Sequence, residues 1–446
     1  MKHKIFLCGA MTCMALSVQA AGLQWTLDEC LAYAVQHNIT LRKSQLQQQS
    51  ATEELRGAKG ALLPTVSAGT SHSIGYRPWQ DTGQTSVSNG YVNTKVDKGY
   101  YSGSYQVNAS WTVWNGGRNT NTVKLDRLAE EQADMNVRQT ANTIQERIAQ
   151  LYVQVSYLTE NVKVLEQSLE TSTKNVERGQ EMVTVGKMSR ADLAQLEAQQ
   201  ATDRYNLVEM QAQVSNYTLQ LKQLLELTTE DFGVAVPTVS EDKVLAAIPE
   251  LQGVYQSALG QRPEIASAES AVKSAELNVK IARAGYMPNV SLNAGAGTST
   301  SSLSSNTWGN QMKTNFDLMG GLSLQIPVFD AFQTRTAIRK AKLQQQQAQL
   351  DLLDQQKQLY ATIEGFWLDA TTNQAKYRAA SSTVSSERQS YELLEQQFQL
   401  GLKNIIELLQ GKDKLLAAQQ NQLQSKYQTL LSLQLLRFYE NGQIGN

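Results

Sequence analysis

Three stretches of this chain carry apolar residues on the alternating four-and-three spacing of a coiled-coil seam, and the segments that hold them are long. Ile144, Ile148, Leu151, Val155, Leu158, Val162, Leu165 and Leu169 follow the rule. Leu207, Met210, Val214, Tyr217, Leu221 and Leu224 continue it further on, and Tyr377, Val384, Tyr391 and Phe398 recur at every seventh residue. The pattern predicts helices over 117–178, 189–227, 332–398 and 404–438. At 1.5 Å per residue the two longest would run about 93 Å and about 100 Å. A compact domain built from 446 residues has no room for such rods, so the expectation is a continuous coiled assembly.

Between the helices the period changes to two. In YSGSYQVNASWTVW, residues 101–114, every second residue is apolar or glycine and the residues between are Ser, Gln, Asn and Thr. Alternation predicts strands at 64–76, 101–114, 288–298 and 319–329. Val66, Ala68, Ile74 and Tyr76 share one face of the first. Val290, Leu292, Ala294 and Ala296 do so in the third, and Leu322, Leu324, Ile326 and Val328 in the fourth. The connections 77–100 and 299–317 are rich in Gly, Ser, Thr and Asn and read as loops. Further helices are expected at 26–60 and 251–284.

Strands of this length suit a tilted bilayer crossing. Past the N-terminus no apolar run of about 18 residues exists to make a membrane helix. Four strands with two open edges cannot span lipid, where every backbone polar group needs a partner. Two copies would give a barrel filled by side chains, and three would begin to leave a lumen. The wide polar face argues for three or more. On this reading the odd residues of 101–114 meet lipid and the even ones meet water. Tyr76, Trp79, Tyr100, Tyr101, Trp111 and Trp114 anchor the interfaces.

The chain also repeats itself. Ala34, Ala58, Pro64, Val66 and Ser67 recur 224 residues later as Ala258, Ala282, Pro288, Val290 and Ser291. Val113 and Gly186 recur 215 residues later as Val328 and Gly401. Order and constant offset indicate a duplication. The expected organisation is a first repeat over 21–227 with a tip turn at 179–188, a linker at 228–250, a second repeat over 251–438 with a tip turn at 399–403, and a tail at 439–446. MKHKIFLCGAMTCMALSVQA has the basic start, apolar run and small residues of a secretory signal, with cleavage expected after Ala20. Its removal takes the 40 basic residues to 38 against 41 acidic ones, about −3, so no nucleic-acid partner is implied. Cys30 alone would remain of the three cysteines, which excludes an intrachain disulfide.

The chain resembles the TolC-like outer-membrane efflux family over nearly all of its mature length. The stretches LRKSQ (41–45), GALLPTVS (60–67), GYRPW (75–79), VGKMSRADL (185–193) and LGLKNIIEL (400–408) carry the resemblance. It implies an α+β membrane protein acting as a homotrimer. Four strands per chain would give a shared 12-stranded barrel, continuous with a long periplasmic helical coiled-coil barrel. Partners would be a periplasmic adaptor, an inner-membrane transporter and outer-membrane lipid. The chain would serve as the exit duct of a tripartite efflux or secretion system. It also implies that Gly186, Lys187, Met188, Gly401 and Leu402 form adaptor-docking tips, and that Asp192, Phe398, Lys403 and Glu407 line a periplasmic aperture. Six carboxylates around one axis would favour cations and raise some of their own pKa values. Three positions depart from the family pattern. Gln410 replaces a second acid, Phe398 a gate tyrosine and Lys403 an arginine, so closure by packing is expected rather than by a hydrogen-bond network.

No enzyme motif, metal set or cofactor is expected: His37 and His72 stand apart, and no HExxH, CxxC or phosphate loop occurs. Two rival readings are a passive outer-membrane channel, which leaves the long helices unexplained, and a periplasmic coiled-coil structural protein.

Overall fold

The computed structural model describes residues 24–79, 82–87, 90–95, 97–228, 232–442 and 444; the expected signal, 1–20, lies outside them. The elements, in order, are β1 (Gln24–Trp25), α1 (Leu27–His37), α2 (Ile39–Gly60), β2 (Thr65–Tyr76), β3 (Thr82–Val87), β4 (Gly90–Lys95), β5 (Gly99–Trp114), α3 (Arg118–Thr184), α4 (Arg190–Leu224), β6 (Gly233–Val234), α5 (Glu241–Val244), α6 (Leu251–Gln261), α7 (Pro263–Arg283), β7 (Asn289–Ser301), α8 (Trp308–Thr314), β8 (Asp317–Gln325), α9 (Gln333–Gln399) and α10 (Ile405–Asn441). The long helices α3 and α9 both have 67 residues. Two compact units emerge. One gathers the chain up to Thr40, Ala141–Ala258 and Ala361 onward; the other holds Leu41–Thr140 and Leu259–Tyr360.

Both expected N-terminal helices are broken. The helix expected over 26–60 stops at Asn38, which adopts an extended backbone (φ −65°, ψ 126°). The one expected over 251–284 stops at Arg262, where Pro263 disfavours the helical region for the residue before it. These breaks are themselves 224 residues apart. The long helix α3 runs six residues beyond its expected end at 178, and α10 continues to Asn441 through the segment read as a tail. The two loops are not plain loops either. Residues 77–100 contain the β3–β4 hairpin, and 299–317 contain α8. Gln311 fixes α8 by donating to the carbonyls of Ser301 (3.1 Å) and Asn306 (2.7 Å).

In the second unit, β2, β5, β7 and β8 form one antiparallel sheet in that order. The registers bring Val66, Ala68 and Ile74 beside Ala109, Val107 and Tyr101, with Leu292, Ala294, Ala296, Leu318, Leu322 and Leu324 on the same face. Ser67, Ser71, Ser73, Ser102, Ser104, Gln106, Asn108, Ser110, Asn293 and Ser323 occupy the other. A bulge between Thr112 and Trp114 inserts one residue, so that Trp114 lies opposite Val290. Strict alternation would have turned Trp114 to the polar face; the bulge returns it to the apolar one. β8 ends at Gln325, four residues short of expectation, because Pro327 cannot donate to a ladder.

The turns from sheet to long helix repeat at the 215-residue offset. Asn115 Oδ1 accepts from Asn119 N–H (3.1 Å) ahead of α3, and Asp330 Oδ2 accepts from Thr334 N–H (2.7 Å) ahead of α9. Between cap and helix the backbone passes through positive φ twice. Gly116 and Gly117 do this in the first copy (68° and 78°), Ala331 and Phe332 in the second (50° and 64°).

In the first unit the helices pack a core that includes Ile148, Leu158, Leu165, Leu221, Ile363, Leu435 and Phe438. The short parallel ladder of β1 with β6 lies in this unit. The segment after β6 is stitched to the helices: Tyr152 Oη donates to the Ala235 carbonyl, Trp367 Nε1 to that of Pro249 (3.2 Å), and Gln374 Nε2 to those of Val244 (3.1 Å) and Ala246 (2.9 Å).

Candidate functional site: the helix tips

α3 and α9 both end in a Schellman turn. Lys187 N–H reaches back to Met182 O (2.8 Å) and Gly186 N–H to Val183 O (3.1 Å). At the second tip Leu402 N–H reaches Gln397 O (2.9 Å) and Gly401 N–H reaches Phe398 O (3.0 Å). The motif needs a left-handed residue, and Gly186 (φ 72°) and Gly401 (φ 75°) supply it. The return helices then start with side-chain caps. Ser189 Oγ accepts from Asp192 N–H (3.0 Å), and Asn404 Oδ1 accepts from Glu407 N–H (2.9 Å).

This geometry accounts for where the two acids stand. Each is in the first turn of its helix, where the dipole favours negative charge. Asp192 accepts from Ser189 Oγ–H (2.8 Å), and Glu407 pairs with Lys403 Nζ (2.6 Å). That pair is part-exposed and worth little in stability. Gln410 is exposed.

Behind the turns lies an apolar cluster of Val176, Leu196, Tyr391, Ile405 and Leu408, with Phe398 and Met188 packed half-buried against it. Gly186, Lys187, Gly401, Leu402 and Lys403 are exposed. Met188 departs from the expectation of an exposed docking residue. Its sulfur lies 3.5 Å from where a Cβ on Gly179 would stand, packed beside Leu196 and Leu193, whose methyls come closer still. Arg178 and Glu395 (3.5 Å) join α3 to α9 just above.

Two features here escape sequence reading. The first is a pair of glycine hollows. A Cβ on Gly179 would stand 2.8 Å from Leu196 Cδ1, and one on Gly411 2.6 Å from Leu394 Cδ1. The 215-residue offset maps Gly179 to Leu394 and Leu196 to Gly411, so the two copies make the same close approach with knob and hole exchanged. The second is a buried ion pair, Lys412 with Asp203, which also engages Ser172 Oγ. Gln199 Nε2 adds a donor to Asp203 Oδ1 (3.1 Å). The four residues come from α3, α4 and α10. The helical period marks apolar faces, and a charged pair inside the bundle interrupts that period without announcing its partner.

On the sheet, Tyr101 and Trp111 share the apolar face with Trp114, and Tyr76 pairs in register with Gly99 at the distal end of β2. Trp79 follows β2 and is 91% exposed. Trp111 Nε1 donates to the Leu62 carbonyl (2.9 Å). Phe329 and Phe332, stacked edge to face at 5.9 Å and exposed, extend the aromatic set beside the second sheet-to-helix turn.

A sheet with one apolar face, whose outer edges are unpaired among the described residues, together with heptad helices that reverse through capped turns, is the architecture of an outer-membrane channel protein. The chain belongs to the outer membrane efflux protein family, whose model matches residues 31–226 and 254–442. It is similar to the outer membrane protein TolC of Vibrio cholerae, 20% identical over 97% of this chain and 93% of that protein. It is 29% identical to the alkaline protease secretion protein AprF of Pseudomonas aeruginosa over 41% of this chain; that match spans 37% of AprF's length. The solved structure of the outer membrane protein VceC from Vibrio cholerae has the same fold, with a TM-score of 0.75 at 19% identity, covering 92% of this chain and 95% of that one. The chain is thus an outer-membrane transport protein rather than an enzyme.

Proposed function

We propose that this chain is the exit duct of a tripartite efflux or secretion system and works as a homotrimer. The observation that carries the reading is the sheet. Among the described residues β2 and β8 have no partner on their outer edges, while one face is apolar and the other is lined by Ser, Asn and Gln. In lipid those edges must pair with strands of other copies. Three copies give twelve strands around a polar lumen. Exposed apolar side chains on the helices, among them Tyr205, Val208 and Leu219 on α4 and Leu343, Leu350 and Leu353 on α9, are what a neighbouring copy would cover.

In this reading the tips meet a periplasmic adaptor that is tied to an inner-membrane transporter. Lys187 and Leu402 present the docking surface, and Phe398 closes the aperture by packing, with Asp192 and Glu407 around it. The cargo is small molecules or, as AprF's name says of that relative, exported protein.

The test is photo-crosslinking in living cells from an unnatural residue at Lys187 or Leu402, both exposed, rather than at half-buried Met188. Capture of a periplasmic adaptor is the expected result. Capture of nothing by an assembled outer-membrane trimer would leave a passive channel.

A further inference from the structure

The four helices that meet the sheet carry cations at their sheet-proximal ends. α2 leads into β2, β5 into α3, α7 into β7, and β8 into α9. Over residues 56–63, 111–127, 280–287 and 326–342 the sequence has eleven Lys and Arg against two acids, Asp126 and Asp330. The whole chain sets 40 basic residues against 41 acidic ones, so composition does not explain the excess. Of the two acids, Asp330 is engaged in capping α9.

The duplication shows that charge is what is kept. At the 224-residue offset Arg56 matches Lys280, and Lys59 matches Arg283. At the 215-residue offset Lys124 matches Arg339, and Arg127 matches Lys342. In every pair lysine and arginine are exchanged. A bidentate site does not tolerate that exchange, whereas attraction to a diffuse charged surface does. All eight residues are exposed. Arg56 and Arg127 make surface ion pairs with Glu53 (2.8 Å) and Glu131 (3.6 Å), which cost little to leave. Among the described residues the other six make no ion pair.

Their height fits a bilayer surface. At 1.5 Å per residue, none of the eight stands more than about 14 Å along its helix from the sheet-proximal end. A headgroup layer of about 5–8 Å and one Debye length of about 8 Å cover that span. Next toward the sheet come exposed aromatics, Trp111 and Trp114 on the apolar face and Phe329 and Phe332 at the second turn. Trp111 Nε1 reaches the Leu62 carbonyl (2.9 Å), so the connection that follows Lys59 runs along the apolar side of the sheet. Cations, then aromatics, then an apolar span is the order of a membrane interface.

We propose that these cations form a collar that binds the anionic headgroups of phospholipids in the leaflet facing the periplasm. The collar holds the sheet at one depth and enriches anionic lipid around it. The inference rests on the reading of the sheet as part of a barrel, which insertion into a bilayer measures separately.

The test uses the full-length protein in nanodiscs that contain spin-labelled phosphatidylglycerol or phosphatidylcholine, with electron spin resonance reporting the immobilised lipid. Phosphatidylglycerol is expected to be selected at least about fivefold at low salt, the worth of one cation near an anionic surface, and less at about 1 M salt. Lys59→Gln, Lys124→Gln, Arg283→Gln and Arg339→Gln together should bring the two lipids within about twofold of each other. The reciprocal exchange, Lys59→Arg with Arg283→Lys, should retain the selection. An inserted protein that immobilises both lipids equally, or a glutamine variant with undiminished selection, would overturn the proposal. So would altered single-channel ion selectivity in that variant with lipid selection unchanged, which places these cations on the duct wall. A chain that fails to insert would remove the barrel reading, and the collar with it.

Discussion

At the residue scale, Lys412 and Asp203 are the most exacting pair in the helical unit, at 4% and 1% exposure. Two charges removed from water are tolerable only because they meet each other and because Ser172 and Gln199 add hydrogen bonds. Removing one partner strands the other. Lys412→Met is expected to destabilise the fold by about 3–5 kcal/mol, and Asp203→Leu with Lys412→Met to recover most of that loss. Urea titration of the two variants checks this; equal stability of Lys412→Met and wild type would show that the pair contributes nothing. Cys30 is a simpler case. It is fully buried, and burial, with Glu29 adding to it, pushes its thiol up to about 12. It should resist maleimide in the native state and react once the chain unfolds. The folded thiol holds its proton above its ordinary value of 9.0 while the unfolded thiol loses it. Cys30 therefore contributes stability in full below pH 9 that is lost as the pH rises toward 12, and Cys30→Ala should flatten that part of the stability profile.

At the scale of elements, the exchanged knobs and holes of Gly179/Leu196 and Leu394/Gly411 define a test of how the helix hairpins approach. Gly179→Leu drives two leucines into one space and should cost about 1–3 kcal/mol. Adding Leu196→Gly restores one large and one small residue, as in the second copy, and should return part of that loss in a thermal melt. Additive losses would mean that the helices are set by other contacts. The elements also show what the sequence could and could not reveal. The long helices and the alternating strands were legible because each repeats a period many times, so that local irregularities average out. The boundaries that escaped are set by single residues. Asn38 breaks a helix with no proline or glycine to mark it, although its side chain reaches the Leu224 carbonyl (2.9 Å), a partner 186 residues away. The bulge before Trp114 is an exception to alternation that only pairing with β7 reveals. Met188 sits in a turn, and only the apolar cluster drawn from α3, α4, α9 and α10 that it packs against takes it out of solvent. At the second sheet-to-helix turn, Ala331 and Phe332 hold the left-handed backbone that Gly116 and Gly117 hold in the first. Each non-glycine residue there costs about 1–2 kcal/mol, so a gain is expected from Phe332→Gly. In the proposed barrel an exposed phenyl ring at this turn would rest at the membrane interface, which offsets that strain.

At the scale of the whole molecule, the proposed trimer turns small features of one chain into a ring. Within a single chain Asp192 and Glu407 are ordinary first-turn acids, each held by its own cap, and Phe398 packs on the core of its own tip. Three copies around an axis would gather six such carboxylates and three such phenyl rings at one aperture. The electrostatic and steric contributions to closure then predict different outcomes. If packing closes the aperture, Phe398→Ala should raise single-channel conductance in a planar bilayer at any salt concentration, because the obstruction is a volume. If the carboxylates govern ion passage, Asp192→Ala with Glu407→Ala should reduce preference for cations most at low salt, where screening is weakest. Lys403, paired with Glu407 at 2.6 Å, offsets three of the six charges, so Lys403→Ala should shift selectivity further toward cations without enlarging the pore. Unchanged conductance in Phe398→Ala, together with unchanged selectivity in the double alanine variant, would remove these residues from the aperture and leave their positions explained by helix capping and core packing alone.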